Sequence, residues 1–221
     1  MVGRDFVSAS KESPQKKPVI GLVGGVGAGK SFLSRALAEN PGFAIINGDS
    51  MGHEVLRQSA TKSQIRQHFG DSVFDEKGEV IRPAVGKLVF GTGPEERAAR
   101  ETLERIVHPQ IRELLKQEID KAKSSPIIKA IILDAAVLFE AGWRDLCDAV
   151  IFLDVPESER LARVQKNRGW TRKDFLTRES SQLAVESKRE KSDFVLDNSG
   201  SAENSVSQFN QIFSQITDDL P

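Results

Sequence analysis

No stretch of this 221-residue sequence approaches the ~20 consecutive apolar residues of a membrane-spanning helix, so that architecture is excluded. There is a single cysteine, Cys147. An internal disulfide is therefore impossible, and the chain fits a reducing, cytoplasmic setting. Between Leu146 and Asp148, just ahead of an apolar run, Cys147 reads as a packing residue and not a reactive thiol. An excess of one charge is lacking too: 31 Lys and Arg against 32 Asp and Glu leave a formal net charge of −1. No overall basic field favours nucleic acid or an anionic membrane surface. The first 17 residues lack the apolar core and cleavage site of a secretion signal and read as a disordered extension. Internal repeats and low-complexity tracts are absent. With 38% hydrophobic residues, residues 18–221 suit one compact α/β domain carrying insertions, expected as a monomer or weak homo-oligomer.

What is present begins with PVIGLVGGVGAGKS, residues 18–31. Val19, Ile20, Leu22 and Val23 read as a buried parallel strand. The chain then runs through a glycine-rich loop into Gly24-x-x-x-x-Gly29-Lys30-Ser31, a complete G-x-x-x-x-G-K-[ST] phosphate-binding loop. From Ser31 the sequence SFLSRALAEN has the composition of an opening helix, whose N-terminal dipole and free N–H groups face the loop. Gly25, Val26, Gly27, Ala28, Gly29 and Phe32 supply the cradle around a nucleoside triphosphate. Lys30 bridges its β- and γ-phosphates, and the Ser31 hydroxyl coordinates Mg²⁺.

Five short apolar runs recur: 19–23, 43–46, 127–133, 149–153 and 194–196. Their length and the helical segments between them predict parallel strands buried on both faces. Right-handed crossovers then place ligand sites at the carboxyl ends of the strands. Polar residues gather there: Asn47-Gly48-Asp49, Asp134, Asp154 and Asp197-Asn198. Asn47-Gly48-Asp49 and Asp134 are placed to serve a reaction, while for Asp154, before Val155-Pro156, the expected role is a cap on the next helix. Residues 50–124 are rich in helix formers, with a turn at Asp75-Glu76-Lys77-Gly78 and helical spacing over 97–107 and 111–122. A second segment, about 160–191, is dense in Arg and Lys and broken by Gly169. The tail predicts one amphipathic helix with Val206, Phe209, Ile212, Phe213 and Ile216 on one face.

Asp49 follows the second strand and is placed to accept a proton from an incoming hydroxyl, since phosphoryl transfer needs one carboxylate to orient its nucleophile. Asp-Ser-Met-Gly can also open a helix with Asp49 as its N-cap, and one residue can do both. Asp134 ends IIKAIILD like a Walker B element, holding Mg²⁺ or serving only neighbouring loop N–H groups. His53 lies one turn after Asp49, and His108 and Arg112 are one turn apart in HPQIR. The basic segment is either a solvated helix face or a lid whose arginines clamp the triphosphate. Spacing does not select the arginine.

Taken in order, these motifs resemble the dephospho-CoA kinase family. They stand here as GLVGGVGAGKS (21–31), NGDSMGH (47–53), HPQIR (108–112), LDAAVLFE (133–140) and KREKSDFVLDNSG (188–200). The resemblance implies a P-loop kinase fold with a five-stranded parallel sheet flanked by helices. A helical acceptor-binding insertion falls at about 55–124 and a lid at about 160–191. The implied reaction is transfer of the ATP γ-phosphoryl group, with Mg²⁺, to the ribose 3′-hydroxyl of dephospho-CoA. By position, Asp49 is the implied general base, Arg163 a lid arginine near the phosphates, and Arg168 a second one. His53, His108, Arg112, Asp134, Leu138 and Glu140 fall in the acceptor-side motifs. The sequence departs from the family at Asn47 (usually Asp), Ala136 (usually Pro), Phe32 (usually Thr) and Asn167-Arg168-Gly169 in the lid; Lys30, Ser31 and Asp49 are intact. Rival readings are a P-loop kinase for a nucleoside monophosphate or sugar acid, a homologue without turnover, and a GTP-binding switch. The last has no Asn-Lys-x-Asp guanine motif to support it.

Overall fold

In the computed structural model, which describes residues 16–91 and 93–219, the five apolar runs form one parallel sheet. The strands are β1 (Val19–Gly24), β2 (Phe43–Asn47), β3 (Ala130–Asp134), β4 (Ala149–Asp154) and β5 (Phe194–Asp197), in spatial order β2-β3-β1-β4-β5. The third is shorter than its apolar run: Ile127 is 65% exposed and lies outside the ladder. Pro126 just before it has no N–H to offer a neighbouring strand, and contact with the β2 side starts at Lys129, whose N–H donates to the Gly42 carbonyl at 2.7 Å.

Side-chain alternation sends β1 residues Ile20 and Leu22 to one face and Val19 and Val23 to the other. On the first face lie α1 (Lys30–Leu37) and the C-terminal α9 (Ala202–Asp219). There Phe209, Ile212 and Ile216 are buried as the amphipathic pattern predicts, and Phe43 stands edge-on to Phe209 and Phe213. On the second face lie α2 (Gly48–Val55) and the long α5 (Pro94–Ser124). The two helical stretches expected over 97–122 are parts of this one 31-residue helix. Pro109 removes one i→i−4 bond, but Ile106, Ile111, Leu115 and Ile119 are buried in succession on either side of it. Their burial holds the helix continuous. With α3 (Ser59–Phe69) and α4 (Arg82–Val89), α5 builds a small second core around Ile65, Val73, Val85 and Val89.

The segment after β4 folds as α6 (Glu157–Arg168), α7 (Arg172–Glu179) and α8 (Val185–Glu190). Gly169, at φ 66°, ends α6 in the left-handed region, and Thr171 with Asp174 forms a capping box for α7. The helix cap expected at Asp154 is not there: Pro156 holds the N-cap position, and the Asp154 carboxylate instead accepts from Arg189 at 2.6 Å. Cys147 is buried as expected, and burial pushes its thiol up to about 12. The extension expected over residues 1–17 lies outside the described residues as far as residue 15. Lys17, which leads into β1, donates to the Lys123 and Ser125 carbonyls at the end of α5. No described helix is long and apolar enough to cross a membrane.

Candidate active site

β1 delivers the chain into the phosphate loop, and α1 begins at Lys30 directly after it. Gly27 (φ 80°) and Gly29 (φ 88°) take left-handed backbone that a side chain would strain. A Cβ on Gly27 would also come within 2.5 Å of the Arg160 carbonyl. The cap residue Gly29 has no side chain to satisfy the first N–H groups of α1, which leaves them directed at an anion. The loop is braced from the α6–α7 side. Val26 packs with Val164 and Phe175, and buried Arg160 donates to the Val26 carbonyl at 3.1 Å while pairing with Glu179. A cavity of about 690 Å³ opens beside it, lined by Gly29, Lys30, Ser31, Phe32, Arg163, Arg168 and Asn198 among others.

Three groups converge at the end of the loop. Asp134, only 4% exposed at the end of β3, accepts a hydrogen bond from Ser31 Oγ at 3.0 Å. Burial pushes its carboxyl above the usual range, while Lys30 and the Ser31 hydroxyl pull it down. Desolvation holds the Lys30 ammonium below its ordinary value, with Asp134 and Asp49 opposing that shift and Lys188 and Arg168 adding to it. The registers Leu22↔Asp134 and Asn47↔Asp134 explain the convergence: β2 and β3 end level, and β1 runs two residues further, to Gly24, into the loop.

A second cavity, about 700 Å³, runs from Lys30 and Ser31 to the helical insertion. Asp49, His53 and His108 line it together with Arg82, Arg100 and Trp143. Asn47 is the α2 N-cap: its side chain accepts from the Ser50 N–H at 3.0 Å. Asp49 therefore does not cap the helix; it is exposed in the first turn, where the dipole favours an anion. His108 is half-buried, stands edge-on to Trp143 at 5.7 Å, and is pushed by burial toward its neutral form.

Three expected acceptor-side residues do not line this cavity. Arg112 forms a bidentate pair with Asp145, at 2.8 and 2.5 Å, and also donates to the Gly142 carbonyl. Leu138 is fully buried against the position of Gly21. Glu140 pairs with Lys188 at 3.0 Å and accepts from the Leu183 N–H. Arg112→Ala is expected to lower stability by at most about 1 kcal/mol, as for a partly exposed pair, and to leave acceptor KM unchanged in steady-state kinetics. A large rise in that KM would place Arg112 at the acceptor after all.

The basic segment divides. Arg160 is part of the loop's support and not a free clamp. Arg163 donates to the Asn198 carbonyl at 2.9 Å, while the Asn198 side chain donates to the Ala28 carbonyl at 2.7 Å. Arg168 borders both cavities. Sequence reasoning missed Lys188, 1% exposed, whose Nζ donates to the Ala136 carbonyl and to Gln182. Its only signal was its place at the head of the KREKSDFVLDNSG motif. It also missed Trp143, Trp170 and Phe90, which carry no motif.

The profile of the dephospho-CoA kinase family matches residues 18–204. A dephospho-CoA kinase of Carboxydothermus hydrogenoformans is 37% identical over 192 residues, 86% of this chain and 90% of that one. One from Latilactobacillus sakei is 35% identical over 198 residues, 89% and 95% of the two chains. Among solved structures, TT1252 from Thermus thermophilus superposes with a TM-score of 0.74 at 28% identity, covering 90% of this chain and 98% of that one. The dephospho-CoA kinase of Campylobacter jejuni shares the fold, with a TM-score of 0.58 at 21% identity over 90% and 97% of the two chains. Sheet order, phosphate loop and whole-length similarity agree, and the chain belongs to the dephospho-CoA kinase family.

Proposed function

We propose that this protein transfers the γ-phosphoryl group of ATP to the ribose 3′-hydroxyl of dephospho-CoA, giving CoA and ADP. The observation that carries the reading is the meeting of two cavities at Lys30 and Ser31, one around the phosphate loop and one holding Asp49. A donor nucleotide in the first and a hydroxyl acceptor in the second would face each other across the Lys30 ammonium.

In this reading the loop N–H groups and the α1 N-terminus bind the β- and γ-phosphates, and Lys30 follows the charge that moves onto the bridging oxygen. Asp49 accepts the proton of the 3′-hydroxyl as it attacks, and His53 and His108 line the acceptor's path. Arg163 and Arg168, on the far wall of the nucleotide cavity, neutralise the transferring group. Mg²⁺ fits the donor set: Ser31 Oγ and the Asp134 carboxylate are 3.0 Å apart, and this hard cation keeps most of its shell as water and phosphate oxygen. When bound, it neutralises β- and γ-oxygen charge.

A coupled ADP-release assay tests the proposal, with ATP, Mg²⁺ and dephospho-CoA run beside AMP, CMP and gluconate. ADP formed with dephospho-CoA alone, and CoA recovered as product, is the expected result. Turnover on another acceptor with none on dephospho-CoA would overturn it while leaving the phosphate loop's role intact.

A further inference from the structure

Four flat groups meet in the acceptor cavity. The Arg168 guanidinium lies 4.8 Å from the Trp170 ring centre, and the Arg178 guanidinium lies 4.5 Å from Trp170 and 5.2 Å from Phe90. All four line the cavity that contains Asp49. They come from opposite walls: Trp170 from the loop between α6 and α7, Phe90 from the C-terminal end of α4.

Packing does not explain the position of Phe90, and Trp170, which packs in part against the Val26, Val164 and Phe175 cluster, also lines the cavity under the two guanidinium groups. Phe90 is 50% exposed and is not part of the small core built by α3, α4 and α5. An aromatic ring left half-exposed among Asp49, His53, Arg82 and Arg100 gives up burial that it could have had in that core. Arg178 is equally unusual. Among the described residues its guanidinium donates no hydrogen bond and is held only by the two rings. A guanidinium is planar and delocalised, so ring faces that accept it also accept a heteroaromatic base.

Resting on the dephospho-CoA reading, we propose that Trp170 and Phe90 are the faces that receive the adenine ring of the acceptor. The base replaces the Arg178 guanidinium against the rings, and Arg178 turns to the acceptor's diphosphate, where its fork matches phosphate oxygens. The two rings thereby select the nucleotide end of the acceptor, and they do so from both walls of the cavity at once.

The test uses the full chain and four variants. Trp170→Leu and Phe90→Leu should each raise the dephospho-CoA KM about 5- to 150-fold, the range for losing one base–aromatic stack. Their ATP KM should match wild type, as should the melting temperature of Phe90→Leu, and Trp170→Phe and Phe90→Tyr should restore the acceptor KM. Tryptophan emission supplies a readout apart from turnover. Dephospho-CoA should quench it in wild type, 4′-phosphopantetheine (which lacks the adenylate) should not, and the quench should vanish in Trp170→Phe. Unchanged dephospho-CoA KM in both leucine variants, or equal quenching by 4′-phosphopantetheine, overturns the proposal. So do equal shifts in ATP and acceptor KM, which would mark the cluster as a clasp between the two walls. Each of these outcomes is read with wild-type turnover on dephospho-CoA intact, so failure of the functional reading is seen separately.

Discussion

Asp49→Asn is expected to lower kcat by about 10²- to 10⁴-fold, the usual worth of a positioned general base, with ATP affinity close to wild type. The substitution keeps shape and hydrogen-bonding reach and removes the proton acceptor together with its negative charge. Two structural facts make it a clean probe. The α2 N-cap is Asn47, so the helix keeps its cap when residue 49 changes. Asp49 is exposed to the acceptor cavity, so no buried partner is orphaned. Loss of the favourable charge in the first turn costs only ~0.3–1 kcal/mol of stability, which thermal denaturation would register separately from the kinetics. Steady-state rates measured with both substrates saturating decide the matter: a variant that kept more than about a tenth of wild-type kcat would sink the assignment.

Lys30→Met should be as severe, with kcat/KM for ATP down by at least about 10²- to 10³-fold, the cost of removing one transition-state donor from a preorganised site. Its apo-state signature differs from that of Asp49→Asn. The ammonium is desolvated and held below its ordinary value, and Asp134 is the largest attraction working against that shift. In turn, Lys30 is the largest influence pulling the raised Asp134 carboxyl back down. Without it, the Asp134 carboxyl should move still higher, which carboxyl-carbon NMR on the unliganded protein can follow. An Asp134 titration unchanged by the substitution would show that the two groups are not coupled as their environment implies. Nucleotide binding to the variant, measured by calorimetry, should be weakened along with the rate, because in the proposed reaction Lys30 would touch the phosphates in ground and transition states alike.

The strands were legible because a parallel sheet buried on both faces demands near-continuous apolar runs, as 19–23 and 149–153 are; 43–46 and 194–196 also form strands, but at the sheet edges, where Val195 is 44% exposed. The phosphate loop was legible because left-handed backbone at Gly27 and Gly29 and close approach at Gly24 and Gly25 leave room for glycine alone. The boundary at Ala130 was not, since Ile127 and Ile128 are apolar enough for a strand and only the missing partner excludes them. Nor was the unity of α5, where a proline invited a break that tertiary burial overrode. The acceptor side was read by motif, and motif does not distinguish contact from support. Arg112 and Glu140 hold loops through Asp145, Lys188 and the Leu183 N–H, while Trp170 and Phe90, which face the cavity, belong to no pattern.

The bracing of the phosphate loop by α6 has a consequence for how nucleotide is captured. Val26 is anchored among Val164 and Phe175, and Arg160 is fastened to its carbonyl. The inner half of α6 therefore cannot swing away without dismantling the loop itself, and α7, which supplies Phe175 and Glu179 to the same contacts, is tied to the loop as well. A loop held this way is built into the fold, so the triphosphate of the proposed reaction would lose little affinity to conformational entropy.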